Sequence, residues 1–180
     1  NGDVELVDVT HDIEPQSIAE AELVVARLLE TFPLGTTHLV VVDPGVGTNR
    51  RPIAGAWRSH YLVGPDNGTF GRILNAEDAQ AVELTKRHLF RAPVSKTFHG
   101  RDIFAPVAAA LAGGLTLSDV GHPLDMVHAS TIGTPVRLGE RVQGRFLCAD
   151  RFGNLLTNIE RKGLQGRIKR VGVGEREVPW

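Results

Sequence analysis

Before about Pro123, apolar residues alternate between strand-like runs and helical spacing; from about Thr134 onward the helical spacing does not return. Alternation at such short intervals builds a sheet covered by helices, so the first part of the chain reads as α/β. Ile18, Ala21, Leu23, Val24, Ala26, Leu28 and Leu29 recur at helical period between a turn at 12–15 and the stop at Pro33 and Gly35. Residues 4–9 are strand-like and run straight out of an Asn1-Gly2-Asp3 turn. The run His38-Leu39-Val40-Val41-Val42 reads as a strand buried on both faces. Residues 51–57 and 60–63 make the arms of a hairpin around Arg58-Ser59. Residues 69–74 read as a short helix, and the alanine-rich 104–111 as a longer one closed by Gly113-Gly114.

Beyond residue 134 the segments 141–149, 155–159 and 168–173 are short and β-like. We therefore place an α/β domain over residues 1–127 and an all-β domain over 128–180, with the boundary between Pro123 and Pro135. So few strands leave open edges, and the second domain is expected to continue past Trp180. A domain that opens inside a turn is likewise expected to have lost its first strand.

Composition narrows the partners. The 180 residues are 42% hydrophobic and carry a formal net charge of -1, enough for a real core and without a field that would draw nucleic acid or an anionic membrane. No stretch approaches the roughly 20 apolar residues of a membrane span. A small neutral or zwitterionic ligand suits such a surface. The one cysteine, Cys148, can neither pair internally nor share a metal with a second thiol; it reads as a core residue in a reducing cytoplasm. The histidines lack metal-ligand spacing, and we expect no metal and no cofactor. His11, His38, His60, His88, His122 and His128 read as structural or exposed, and the basic stretch between Arg161 and Arg170 as a solvated face.

The chemistry gathers in four loops. Asp43-Pro44-Gly45-Val46-Gly47-Thr48-Asn49-Arg50-Arg51 places a carboxylate at a strand end, then a glycine-rich turn, then a guanidinium, where ligands of open α/β sheets bind. The plain alternative is a turn-capping Asp with a solvated Arg. The P-loop spacing is absent. Thr97-Phe98-His99-Gly100-Arg101-Asp102 enters the helix at 104, so that His99 projects into a cleft and can take a proton or fix a carboxylate, with Asp102 as helix cap. Gly64-Pro65-Asp66-Asn67-Gly68 reads as a tight turn. In Asp150-Arg151-Phe152-Gly153-Asn154 an amide can read a purine edge, a ring can stack on it and a carboxylate can hold an ammonium; an ordinary β-turn is the alternative.

Together these loops, with Thr10-His11-Asp12-Ile13-Glu14-Pro15-Gln16 before them and Ile103-Phe104-Ala105-Pro106 extending the second, occur in an order that resembles the S-adenosylmethionine (SAM) hydroxide adenosyltransferases, relatives of the SAM-dependent fluorinase and chlorinase. The resemblance implies a three-layer α/β/α domain with a mainly parallel sheet, a C-terminal barrel-like β domain, truncated here, and a homotrimer with active sites between subunits. It implies hydrolysis of SAM to adenosine and methionine by water attack at the ribose C5′. Asp43, Arg50 and His99 then fall on the positions that act on the water. Asp150 falls where the methionine ammonium is held, Phe152 and Asn154 where adenine is contacted, and Gln16 and Gly100 on further substrate positions.

The fluorinase pattern has a tyrosine where this chain has Asp43, no counterpart of Arg50, and a fluoride-binding serine where this chain has Gly100. A carboxylate beside the attack point repels a halide, which favours hydrolysis. A chlorinase and a non-catalytic adenosine- or SAM-binding module are the alternative readings, and a purely structural oligomerisation domain is a further one.

Overall fold

The computed structural model describes residues 4–150, 152–161, 164, 168 and 170–178. The turn expected at residues 1–3, Arg151 of the fourth loop and most of the basic stretch after Arg161 lie outside them. The chain divides into two units, Asn1–Thr131 and Ile132–Trp180.

The first unit is built on a five-stranded sheet in the order β1-β3-β2-β4-β5, comprising β1 (Thr37–Leu39), β2 (Pro52–Trp57), β3 (His60–Pro65), β4 (Gln80–Leu84) and β5 (Gly121–Leu124). Strand β1 runs parallel to β3, while β2–β3, β2–β4 and β4–β5 are antiparallel, so the α/β unit has a mixed sheet. Because side chains alternate across a strand, β2, β3 and β4 each feed two cores. Ala54, Val63 and Val82 face Phe104, Val107 and Leu111 on one side. Ile53, Leu62 and Ala81 face Val25, Phe70, Ile73 and Leu74 on the other. The layers are thus α3 (Ala105–Ala112) and α4 (Leu117–Val120) on one face, and α1 (Ile18–Thr31) and α2 (Gly71–Leu74) on the other. Phe70 and Phe104 anchor the two cores at 1% and 0% exposure; full burial of a side chain of that size is worth roughly 2–3 kcal/mol.

The hairpin forms as expected. Arg58 and Ser59 take φ of 46° and 65°, the doubly left-handed turn that matches the twist of the arms, and Arg58 stacks 4.2 Å above the Trp57 ring. Two expectations need correction, and two strands were not anticipated. Strand β1 is an edge strand covering only Thr37–Leu39, and the run after it is not buried on both faces: Leu39 and Val41 are each 45% exposed. Residues 4–9 pair with no strand among the described residues, and Leu6 is 92% exposed. Strands β4 and β5 had no clear signal. Strand β5 contains Pro123, tolerable only at an edge, and Gly121, where an added Cβ would lie 2.0 Å from the Glu83 carbonyl oxygen.

In the second unit the described strands pair as three separate ribbons: β6 (Val136–Leu138) with β7 (Arg141–Gln143), β8 (Phe146–Ala149) with β9 (Leu155–Thr157), and β10 (Val171–Val173) with β11 (Arg176–Val178). Among the described residues they close no barrel. The single strand expected over 141–149 is broken at Gly144, whose Cα approaches Asn158 so closely that a Cβ would sit 2.4 Å from Oδ1. Cys148 is half-buried on a two-stranded ribbon rather than in a core.

Candidate active site

The β1 ladder ends where the Val40 N–H donates to the Val63 carbonyl at 3.0 Å. Two residues later the Val42 carbonyl would be orphaned, and the Asn67 side-chain amide donates to it at 2.8 Å. Asp43 follows and starts a double turn, with Val46 N–H to the Asp43 carbonyl at 3.3 Å and Thr48 N–H to the Gly45 carbonyl at 3.1 Å. That turn brings the chain back so that Arg50 faces Asp43. Arg50 Nε donates to both carboxylate oxygens, at 2.9 and 3.0 Å, and its terminal NH2 donates to Oδ2 as well. The two side chains are only 8% and 6% exposed. A planar guanidinium fork fits a carboxylate in this way, and poor access of water strengthens the pair.

The same terminal nitrogen of Arg50 lies 2.8 Å from His99 Nδ1. A guanidinium has no acceptor, so Nδ1 must offer its lone pair and the neutral ring must carry its proton on Nε2. Burial, with the Arg50 charge second, pushes the His99 pKa down, while Asp43, Asp102 and a hydrogen bond to the Ser95 backbone pull the other way. His99 is therefore a neutral donor through Nε2. Beneath this trio lies the fully buried ring of Phe104, with Arg50 Cζ 5.1 Å from its centroid.

His99 is held by a turn of π-helix, Gly100–Phe104, that leads directly into α3. Asp102 is not the helix cap expected from the sequence. It is fully buried in that turn, accepts Arg101 Nε at 2.7 Å and the Ser95 N–H at 2.8 Å, and is held down to about 2 by those bonds. It thereby ties residue 95 to the turn below His99. Gly47, at φ 79°, sits so close to the same segment that a Cβ would lie 2.8 Å from the Lys96 carbonyl oxygen. Gly100 packs on Val41, with an added Cβ 3.2 Å from Cγ1.

Asp43 opens on a cleft of about 350 Å³ lined by residues 13–16, 41–44 and Val46. Gln16 is part of that wall. It occupies the third position of a turn, after Pro15 and closed by Ser17 N–H to the Glu14 carbonyl at 3.0 Å, with φ of 70°. That position ordinarily takes glycine or asparagine, and a glutamine there stores strain of order 1 kcal/mol.

The model of the SAM hydroxide adenosyltransferase N-terminal domain matches residues 1–121. This chain belongs to the SAM hydroxide adenosyltransferase family. It is 43% identical over 159 residues to the (R)-S-adenosyl-L-methionine hydrolase of Salinispora tropica, an alignment that covers 83% of this chain and 59% of that protein. It is 37% identical over 182 residues to the hydrolase of the same description from Thermus thermophilus, with 97% of this chain and 69% of that one covered. The crystal structure of an uncharacterized conserved protein from Thermotoga maritima superimposes with a TM-score of 0.88 at 39% identity, covering 99% of this chain and 71% of that one. The chain thus spans about 59% of the length of the Salinispora relative.

In this family member Asp43, Arg50 and His99 come together, and Gln16 and Gly100 lie in the same unit, Gln16 lining the cleft beside Asp43 and Gly100 immediately following His99. Asp150, Phe152 and Asn154 lie in the second unit, on the β8–β9 turn. There the Asp150 carboxylate accepts the Phe152 N–H at 2.9 Å, the Asn154 N–H at 2.8 Å and the Asn154 side-chain amide at 2.7 Å. These bonds, the Asn154 amide foremost, hold its pKa below the usual carboxylate range. Phe152 stands 84% exposed beside them.

The loop at 64–68 does more than turn. Asn67 holds the entry of the Asp43–Arg50 segment through Val42, and its Oδ1 is fixed in turn by Thr69 Oγ1 at 2.9 Å. The neighbouring Asp66, buried at 2% exposure, holds the exit: its Oδ2 accepts Arg51 Nε at 2.8 Å and its Oδ1 the His128 N–H at 2.7 Å. Reading 64–68 as a tight turn missed this clamp. The available signal was two adjacent side chains, each able to bridge to backbone, directly after a strand. No group of three His, Cys, Asp or Glu that could hold a metal occurs among the described residues, and no described helix is long and apolar enough to cross a membrane.

Proposed function

We propose that the protein hydrolyses S-adenosyl-L-methionine to adenosine and L-methionine, the activity for which the Salinispora and Thermus relatives are named. The observation that carries the reading is the single guanidinium fastened both to a neutral imidazole and to a carboxylate, Asp43, that lines a cleft. Water attacks the ribose C5′ as the C5′–S bond breaks. The electron pair of that bond goes to sulfur, which leaves as the neutral thioether of methionine, and one proton is released from the water.

Sulfonium is already a good leaving group, so the protein's task is to hold and polarise water in line with it. Asp43 accepts the water's hydrogen and takes the proton as the bond forms. Arg50 holds that carboxylate in orientation, and His99 in turn fixes the guanidinium through Nδ1. His99 is spoken for at Nδ1 and is not the base. Asp43 also repels halide from the attack point, which separates this site from a halogenase. No metal or cofactor is required.

Gln16 and Gly100 shape the substrate side of the cleft in this reading. Asp150 holds the methionine ammonium, and Phe152 and Asn154 contact adenine. The working enzyme is a cytoplasmic homotrimer whose sites lie between subunits, each combining the first domain of one subunit with the second, β domain of its neighbour.

The test is to incubate the full-length protein with SAM in chloride buffer and identify the nucleoside by mass spectrometry. Adenosine is expected, with kcat falling about 10²–10⁴-fold in Asp43→Asn while the fold is retained. Chlorinated nucleoside would make the protein a halogenase. Binding without any product would leave a SAM-binding module.

A further inference from the structure

The cleft wall carries two charged side chains, Asp43 and Glu14. Asp43 is matched by Arg50 through Nε and a terminal nitrogen, and His99 is neutral, so the trio as a whole carries no net charge. Glu14 differs. Its backbone is engaged, with its N–H donating to Glu20 Oε2 at 3.2 Å and its carbonyl accepting the Ser17 N–H at 3.0 Å, but its carboxylate has no partner among the described residues. The turn that places it is rigid: Pro15 fixes one φ and the left-handed Gln16 the next, so the strained backbone presents residues 14 and 16 along one wall.

We propose that Glu14 selects the cationic form of the substrate, its carboxylate being the uncompensated negative charge that holds a sulfonium in the cleft before reaction. This rests on the SAM hydrolase reading and deepens it. The remaining wall residues are apolar or uncharged, namely Ile13, Pro15, Gln16, Val41, Val42, Pro44 and Val46, and offer a positive sulfur no other counter-charge.

The role has a kinetic signature. The sulfonium charge disappears as sulfur takes the electron pair of the breaking bond. A nearby carboxylate therefore stabilises bound substrate more than the transition state, and removing it weakens binding without slowing the chemical step. Because Glu14 is solvent-exposed, the effect is modest and screened by salt.

The experiment compares wild type, Glu14→Gln and Glu14→Asp in the full-length protein. Glu14→Gln is expected to lower kcat/KM for SAM about three- to fivefold at low ionic strength, all of it in KM, with the deficit shrinking as salt rises. Calorimetric affinity for S-adenosylhomocysteine, the neutral thioether, should stay within about twofold, and Glu14→Asp should recover most of the loss. Equal weakening of cationic and neutral ligands, a fall in kcat, or an unchanged KM would each overturn the proposal. Wild-type turnover separately tests the hydrolase reading. Should that fail, the relative affinity of wild type and Glu14→Gln for the two ligands still decides whether Glu14 discriminates charge.

Discussion

The imidazoles of His38 and His60 meet inside the first unit, Nε2 to Nδ1 at 3.1 Å, with the edge of Phe32 against His38 at 5.9 Å between ring centroids. One ring donates and the other accepts, which satisfies both while they are neutral; a proton on both removes the acceptor.

Burial, with His60 second, pushes the His38 pKa from 6.5 down to about 4. The unfolded chain therefore binds more protons than the native one between those values, so stability is complete above about pH 6.5 and falls as pH drops towards 4. A shift of that size amounts to about 3 kcal/mol in total. Urea midpoints measured between pH 7 and pH 5 should decline in the wild type and decline less in His38→Leu. A parallel decline in both would show that other groups govern the acid sensitivity.

Asn67→Ala should separate positioning from chemistry. Loss of the amide leaves the Val42 carbonyl without its donor, at a cost of about 1–2 kcal/mol, and frees the segment that aims Asp43. We expect kcat to fall roughly tenfold, with KM changing little, because a misaimed carboxylate affects the reacting geometry more than substrate binding. Thermal denaturation with steady-state kinetics checks both parts; a KM effect alone would assign Asn67 to substrate binding.

Gly47→Ala tests the contact between the Arg50 and His99 segments. The substitution meets both an unfavourable φ of 79° and the Lys96 carbonyl oxygen at 2.8 Å. A destabilisation of about 1–3 kcal/mol follows from the backbone and the clash together. Activity should fall further than stability explains, read as kcat at a temperature where the variant is fully folded, because the clash pushes residue 96 away from the site.

Much of this arrangement was readable from the residues, and the gaps have physical causes. Helix α1 and the β2–β3 hairpin carry their own periodicity and turn residues, and local signals specify them. Strands β4 and β5 do not. Gln80–Leu84 is short and Gly121–Leu124 holds a glycine and a proline, so their strand character comes from the neighbour they pair with. The buried faces assigned to residues 38–42 failed for a related reason: hydropathy reports a preference for burial, whereas position in the sheet decides whether cover exists. At the site, Asp43, Arg50 and His99 were reached through ordered motifs, and the geometry joining them lies in contacts 49 residues apart that no local pattern encodes. Asp66 and Asn67 were hidden by their own turn chemistry, since the residue types that make good turns are also those that bridge to distant backbone.

One nitrogen of Arg50 serves both Asp43 and His99. Carboxylate and imidazole are therefore not independent parts. Removing either one releases the guanidinium from the geometry that served the other, so the damage from the second loss has largely been done by the first. In free-energy terms the trio behaves as one element with a single point of failure, and a cycle through Asp43→Asn, His99→Asn and the double variant should close with a large coupling rather than a sum.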